Sequence, residues 1–266
     1  MSQKQYVIVG TGPAGMNTAE GLRMKDSESK IVLIGQEPTL PYSPTILPYF
    51  ISGKIKEKDL FLFQEAYLKK QGIELIRGNG VISVSPQEGR VFLKEGPSFS
   101  FDALILAQGG SPILPDIPGL RTKAQRASKA IVLGAGLIGM QAAQALAEMG
   151  ISVRVLELMN QVLPGYFDQR AASIIQKVYE SRKVDFLTST LAEGVEFRKG
   201  NTVLSLKGEK TIQAPLFLVA AGVAPNIDFL RGSGIEVDRG VLVDQAMATN
   251  LPNIFAAGDV VQMENF

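Results

Sequence analysis

A glycine pattern that occurs twice constrains this chain more than any other feature. Residues 6–22 read Y-V-I-V-G-T-G-P-A-G-M-N-T-A-E-G-L, a β-branched run that enters a glycine turn and leaves as small residues at helical spacing. Gly10, Gly12 and Gly15 fit G-x-G-x-x-G. In that pattern the first glycine makes a tight turn and the second lets a pyrophosphate approach the backbone. The third brings helix and strand together. The helix start offers unpaired N–H groups and partial positive charge, and Pro13 suits its first position, where a missing N–H costs nothing. One copy is weak evidence, because glycine turns are common. Residues 130–149 supply the second: Gly134, Gly136, Gly139, Met140, Ala143 and Leu146 repeat Gly10, Gly12, Gly15, Met16, Ala19 and Leu22 at an offset of 124. Two strand–glycine–helix units imply two dinucleotides, or one dinucleotide and a structural relic.

Composition narrows the chemistry. The 266 residues contain no cysteine and no histidine, which excludes from them a disulfide framework, a catalytic thiol, a cysteine-held iron–sulfur cluster and His-based triads or zinc sites. A net charge of +1 without a basic run gives no field for nucleic acid. No apolar run reaches the length of a membrane span, and the N-terminus passes directly into a strand, so the expectation is a soluble cytoplasmic protein. At this length two domains with ordinary cores are expected.

Acids near the second strand of each unit are the next signal. Residues 30–35, K-I-V-L-I-G, read as a buried strand with Gly35 where a ribose-binding carboxylate often stands; Gln36 and Glu37 follow. Glu37 is either that ribose acid or a solvated turn residue before Pro38. In the second unit, S-V-R-V-L-E ends at Glu157 with no arginine after it, only Leu158 and Met159. If Glu157 is not simply a surface acid, it accepts both ribose hydroxyls and repels a 2′-phosphate, favouring NAD over NADP.

Residues 38–53 hold four prolines and should form neither a regular helix nor a central strand; the loop either covers a flat cofactor or docks on the core. Residues 57–71 predict an amphipathic helix with Leu60, Phe63, Tyr67 and Leu68 on one side. Residues 73–106 predict four short antiparallel strands, inserted as the crossover of a nucleotide-binding sheet. The last of these ends in Ala107-Gln108-Gly109-Gly110, and Pro112, Pro115, Pro118 and Gly119 then predict a stiff linker. Residues 168–182 predict a helix, followed by a further ribbon to about 213 and an apolar strand ending at Gly222. Near the C-terminus, Ile254 to Ala257 read as a buried strand that ends at Gly258-Asp259. Asp259 is either an exposed loop residue or a partner for a ligand hydroxyl.

Four ordered motifs, G-T-G-P-A-G at 10–15, A-Q-G at 107–109, G-A-G-L-I-G at 134–139 and A-A-G-D at 256–259, make the whole chain resemble the pyridine nucleotide–disulfide oxidoreductases. Their relatives include NADH oxidases, ferredoxin and rubredoxin reductases and NADH-dependent nitrite reductases. The run P-Y-S-P-T-I-L-P-Y-F-I-S-G-K is similar to the branch that includes the flavoprotein subunit of phenylglyoxylate dehydrogenase.

The resemblance implies an α/β fold of two Rossmann-like, three-layer ββα domains. An FAD domain (1–117 and 234–266) is split around an NAD(H) domain (118–233). It implies FAD pyrophosphate at Gly10, Gly12 and Gly15, adenosine ribose at Glu37, adenine at the Val81 backbone and the ribityl chain at Asp259. NAD(H) is implied at Gly134, Gly136, Gly139 and Glu157, with Ala221 and Gly222 closing over it. Pro13, Ala14, Gln36, Thr45, Ala107, Gly109, Gly258, Leu137 and Ile138 complete the cofactor-binding set, with no catalytic side chain and no metal ligand.

The chain also departs from the pattern. Thr45 stands where one branch carries a reactive cysteine, Pro44 where another often has a basic residue, and Gln141 where a glutamate is common. The residues stop seven after Asp259, before the family's flavin-facing helix and interface domain, which suggests a truncated or split version. The expected function is hydride transfer between NAD(H) and FAD, with electrons passed to an iron–sulfur partner or a small-molecule acceptor. The alternative is a non-catalytic nucleotide-binding subunit of a larger redox complex. An NADP enzyme without flavin fits less well.

Overall fold

The computed structural model describes residues 3–51, 53–112, 128–208 and 210–263. The linker prolines Pro115 and Pro118, with Gly119, lie outside them. In chain order the elements of the first part are β1 (Gln5–Val9), α1 (Pro13–Lys25), β2 (Lys30–Ile34), α2 (Leu47–Ile51), α3 (Glu65–Lys70), β3 (Ile73–Ile76), β4 (Val81–Ser85), β5 (Arg90–Leu93), β6 (Phe99–Ser100), β7 (Ala103–Leu106) and β8 (Gly110–Pro112). Then come β9 (Lys129–Leu133), α4 (Leu137–Glu148), β10 (Ser152–Leu156), α5 (Gln169–Glu180), β11 (Val184–Leu187), β12 (Ala192–Arg198), β13 (Asn201–Leu206), β14 (Lys210–Ala214) and β15 (Leu216–Val219). The chain closes with β16 (Val223–Pro225), β17 (Val241–Val243), β18 (Ile254–Ala256) and β19 (Val261–Met263). Two compact units result: residues 1–45, 57–111 and 224–266 form the first, and residues 46–56 and 112–223 the second.

The first unit is built on a parallel five-stranded sheet in the order β18-β7-β1-β2-β3. Its strands are apolar at successive positions because both faces are covered. The period-two alternation divides them: Ile8, Ile31 and Leu33 pack with Met16 and Ala19 of α1. Val7, Val9, Val32, Ile34, Leu104 and Leu106 pack with Val84, Val91 and Leu93 of an antiparallel sheet, β4-β5-β6. Each fully buried aliphatic side chain contributes about 1.5–3 kcal/mol.

The second unit repeats the plan with a parallel sheet in the order β11-β10-β9-β15. Ala130, Val132, Val153 and Val155 face Met140, Ala143 and Leu146 of α4 and Ala172 of α5. Ile131 and Leu156 face the ribbon residues Val195, Leu204 and Leu206. Asp168 caps α5 by accepting the Ala171 N–H at 2.8 Å. Both units are thus three-layered and Rossmann-like. Among the described residues no helix is long and apolar enough to cross a membrane.

Three expectations need correction. The helix over 57–71 forms only at Glu65–Lys70, because Phe61 bridges Tyr42 in antiparallel fashion and the Leu62 N–H donates to the Pro41 carbonyl at 2.8 Å. That pairing uses the backbone a longer helix would need. The apolar spacing still serves burial at Leu60 and Leu68, while Phe63 stacks on Tyr67 at 5.3 Å. The prolines of 38–53 do not exclude helix: Pro48 falls in the first turn of α2, where its missing N–H has no partner to lose. Of the four strands expected to be antiparallel, only 81–85 and 90–93 are. Ile73–Ile76 and Ala103–Leu106 join the parallel sheet. Buried on both faces, those two runs need partners on the main sheet rather than a hairpin.

Candidate functional site

Each parallel sheet ends, at the carboxyl edge of its first strand, in a glycine turn of nearly the same shape. Gly10 has φ +114° and its N–H donates to the Ile34 carbonyl at 2.8 Å. Gly134 has φ +106° and donates to Leu156 at 2.7 Å. A Cβ on Gly10 would lie 2.1 Å from the Ala107 carbonyl oxygen, and one on Gly134 2.3 Å from that of Ala220. Only glycine fits either position. Gly15 and Gly139 let helix meet turn: a Cβ there would stand 1.9 Å and 2.0 Å from the carbonyls of Gly10 and Gly134.

The middle glycines differ in kind. Gly12 (φ −74°, ψ −177°) and Gly136 (φ −73°, ψ −176°) are extended N-cap residues, and a Cβ on either would meet nothing within 4 Å. Neither is demanded by the protein's own packing. Each leaves open space at a helix start that has no side-chain cap and no acid in its first turn. The N–H groups of Ala14 and Gly15, and of Leu137 and Ile138, therefore belong to a cradle that lacks an acceptor and carries positive potential. A pyrophosphate is an anion of the size and charge such a cradle accepts.

Further motifs close on the first cradle. Gly258 (φ +82°) lies against α1, since a Cβ there would be 2.8 Å from the Ala14 Cβ. The Ala257 N–H donates to Leu106 at 2.9 Å, which holds Asp259, exposed, beyond the sheet's carboxyl edge. Ala107 donates to Val9 at 2.7 Å, and Gly109 turns the chain at φ +61°. Gln36 and Glu37 are exposed just past β2. The Glu37 Oε1 accepts the Tyr42 hydroxyl at 3.4 Å; burial first, and then the charge of Glu37, pushes that phenol above its ordinary value. Val81 opens β4, and exposed Thr45 shares a hydrogen bond with Ser43 at 2.8 Å. No hydrogen bond joins either of them to the glycine turn among the described residues.

In the second unit Glu157 is 8% exposed. Its Oε2 accepts the Ala135 N–H at 2.7 Å and its Oε1 the Met159 N–H at 2.9 Å. The carboxylate thus sits at the glycine turn, with lone pairs remaining for a ligand hydroxyl. Leu158 and Met159 are exposed beside it, as are Leu137 and Ile138 on the first turn of α4. Ala221 and Gly222 (φ +109°) follow β15, next to the Ala220 that Gly134 abuts. Gln141 is exposed on α4. A separate cavity of about 370 Å³, lined by Gln144, Glu148, Tyr179 and Arg182 among others, lies at the far end of α4 from Gly136.

Two side chains escaped the sequence reading. Gln108 donates its Nε2 to the Asn226 carbonyl at 2.9 Å, and Asn226 returns its Nδ2 to the Gln108 carbonyl at 3.1 Å. The Gln108 Oε1 is buried without a partner among the described residues. Only the long separation in sequence hid this pair. The second is Thr11, in the first glycine turn, whose side chain lies against Gly35: a Cβ there would stand 2.6 Å from its Cγ2.

A model of the family described as pyridine nucleotide-disulphide oxidoreductase matches residues 4–265. The epsilon subunit of the NADH-dependent phenylglyoxylate dehydrogenase of Aromatoleum evansii is 33% identical over 270 residues, covering 95% of this chain and 64% of that subunit. The ferredoxin–NAD(+) reductase component of the anthranilate 1,2-dioxygenase system of Burkholderia cepacia is 30% identical over 283 residues, covering 100% of this chain and 70% of that component. Among solved structures, an NAD-dependent persulfide reductase from A. fulgidus superposes with a TM-score of 0.92 at 26% identity, over 97% of this chain and 53% of that one. The chain spans only part of the length of each of these proteins.

Proposed function

We propose a function from one premise: this chain belongs to the pyridine nucleotide-disulphide oxidoreductase family. It is an FAD-dependent oxidoreductase that takes a hydride from NADH and passes electrons to an external acceptor. The observation that carries this reading is the pair of matching cradles, each with free space where the Cβ of its middle glycine would stand. A single cradle would serve one nucleotide; two of the same shape call for two.

FAD and NAD(H), when bound, supply the hydride and electron chemistry. The residues bind and orient. Gly10, Gly12, Pro13, Ala14 and Gly15 would hold the FAD pyrophosphate at the start of α1. Glu37, with Gln36 beside it, would take the adenosine ribose, Val81 the adenine, and Gly258-Asp259 the ribityl chain. Ala107, Gly109 and Thr45 would complete that site. Gly134, Gly136, Leu137, Ile138 and Gly139 would hold the NAD pyrophosphate, under Ala221 and Gly222. Glu157 supports NADH over NADPH, because a buried carboxylate repels a 2′-phosphate.

These 266 residues contain no cysteine, so electrons cannot pause on a thiol among them. The acceptor is then a separate molecule, and an iron–sulfur protein fits the relative named as a ferredoxin–NAD(+) reductase. Mixing the FAD-loaded protein with NADH under anaerobic conditions should bleach the flavin absorbance, and Gly136→Val should abolish the bleaching. Flavin that stays oxidised in the wild type overturns the reading.

A further inference from the structure

The cavity at the far end of α4 has no part in the hydride chemistry. Its volume, about 370 Å³, falls within the range of small-molecule sites. The last two turns of α4 (Gln144, Ala147 and Glu148) form one wall, and the end of α5 with the turn into β11 forms the other. Twelve helical residues, rising about 1.5 Å each, set it about 18 Å from the Gly136 cradle. Glu148 is the one acid in the lining, and both its oxygens are engaged: Oε2 pairs with the Lys54 ammonium at 2.6 Å, and Oε1 accepts the Gln144 amide at 3.1 Å. Those contacts, Lys54 first, hold its carboxyl below the ordinary value. Arg182 and Lys183 remain, and neither side chain has a hydrogen bond or ion pair among the described residues. The Arg182 charge acts on both Glu148 and Tyr179, on the two walls, so the guanidinium stands on the cavity side. Cations at a helix end often serve its last carbonyls. Here those carbonyls already have donors: Lys177 and Val178 accept the Ser181 N–H at 3.1 Å and its hydroxyl at 2.7 Å, and Tyr179 and Glu180 accept the N–H groups of Arg182 at 2.8 Å and Lys183 at 3.3 Å. The two charged side chains are left over.

We propose that this cavity binds a small organic anion, a carboxylate on an apolar body, with the Arg182 guanidinium as its partner and Lys183 beside it. A guanidinium fork meets a carboxylate in two parallel hydrogen bonds. The apolar body lies against Ala147, Val184 and the Tyr179 ring, which an edge contact with Phe186 at 6.3 Å holds in place. A phosphate has no apolar part and more oxygens to satisfy, and the Ser181 hydroxyl is already committed to Val178. The site is independent of both cradles and of what they bind.

Benzoate is the probe, titrated by calorimetry into the full chain, with benzamide as its neutral counterpart and inorganic phosphate as a bare anion. One benzoate should bind per chain. Arg182→Ala should weaken it about tenfold or more, the worth of a charged hydrogen bond, without a change in melting temperature. Arg182→Lys, which keeps the charge without the fork, should fall between. Benzamide should bind the wild type no better than benzoate binds Arg182→Ala, and phosphate should not displace benzoate. Ala147→Leu, which grows into the cavity, should weaken benzoate and benzamide alike. Gly136→Val, at the other end of α4, should leave benzoate binding unchanged, so this site and the second cradle fail separately. A wild type that takes no benzoate at millimolar concentration overturns the proposal, as does binding that survives Arg182→Ala or disappears in Gly136→Val. Phosphate that displaces benzoate overturns the choice of a carboxylate.

Discussion

The carboxylate of Glu157 accepts the main-chain N–H of Ala135 at 2.7 Å, so the acid at the end of β10 is fastened to the middle of the second glycine turn. The same side chain therefore shapes the cradle and faces whatever enters it. Glu157→Ala would leave the N–H groups of Ala135 and Met159 without their acceptor and should cost about 1–3 kcal/mol in denaturant unfolding. Glu157→Gln keeps one acceptor oxygen and should cost less. Its ratio of NADPH to NADH dissociation constants, read by fluorescence titration, should fall because the repelling charge is gone.

Gly10 and Gly12 should respond in opposite ways. Gly10→Ala forces a Cβ against the Ala107 carbonyl at a left-handed φ, and its melting temperature should drop sharply, with loss of about 1–3 kcal/mol or more. Gly12→Val meets only open space in an extended conformation, so the protein should melt as the wild type does while losing flavin on gel filtration. Similar loss of stability in both variants would contradict the distinction.

Tyr42 gives an alkaline signature. Its phenol is raised above the ordinary value of 10.0, by burial first and by Glu37 second. A raised phenol contributes stability that is complete below the unfolded-state pKa and lost as pH climbs through the higher folded value. The stability difference between wild type and Tyr42→Phe should stay flat up to about pH 10 and shrink above it. The effect is small, because the ring is only half-buried and solvent screens the pair.

Gln108→Leu removes one orphaned acceptor and one satisfied donor. The two effects oppose each other, and the net change in unfolding free energy should stay within about 1 kcal/mol. Asn226→Ala removes the bond from Nδ2 to the Gln108 carbonyl and the acceptor of the Ser111 hydroxyl, found at 2.7 Å, with no compensating gain. It should be the more destabilising of the two.

Much of this arrangement was legible because it depends on backbone rules. Glycines at fixed spacing can be read without a structure: Gly15 is required by its contact with the Gly10 carbonyl five residues back, and Gly10 by the turn that follows the neighbouring strand β7. Apolar runs such as Ile31–Ile34 announce a strand covered on both faces. Parallel pairing was less legible. Ile73–Ile76 and Val81–Ser85 look alike as short apolar runs, yet one joins the main sheet and the other a hairpin. Only the choice of partner separates them. Side-chain pairs across long separations, Gln108 with Asn226 and Thr11 with Gly35, left no local periodicity at all.

The place of β18 sets an order for synthesis. It pairs with β7 on the outer flank of the first sheet, Ile254 beside Leu104 and Ala256 beside Leu106, although residues 112–223 of the second unit are translated between them. Until the ribosome has delivered residues 254–256, β7 is an open flank with unsatisfied main-chain groups, the kind of surface on which nascent chains stick to one another. Chains halted before Ile254 should bind chaperones and precipitate more readily than those that run past Ala256.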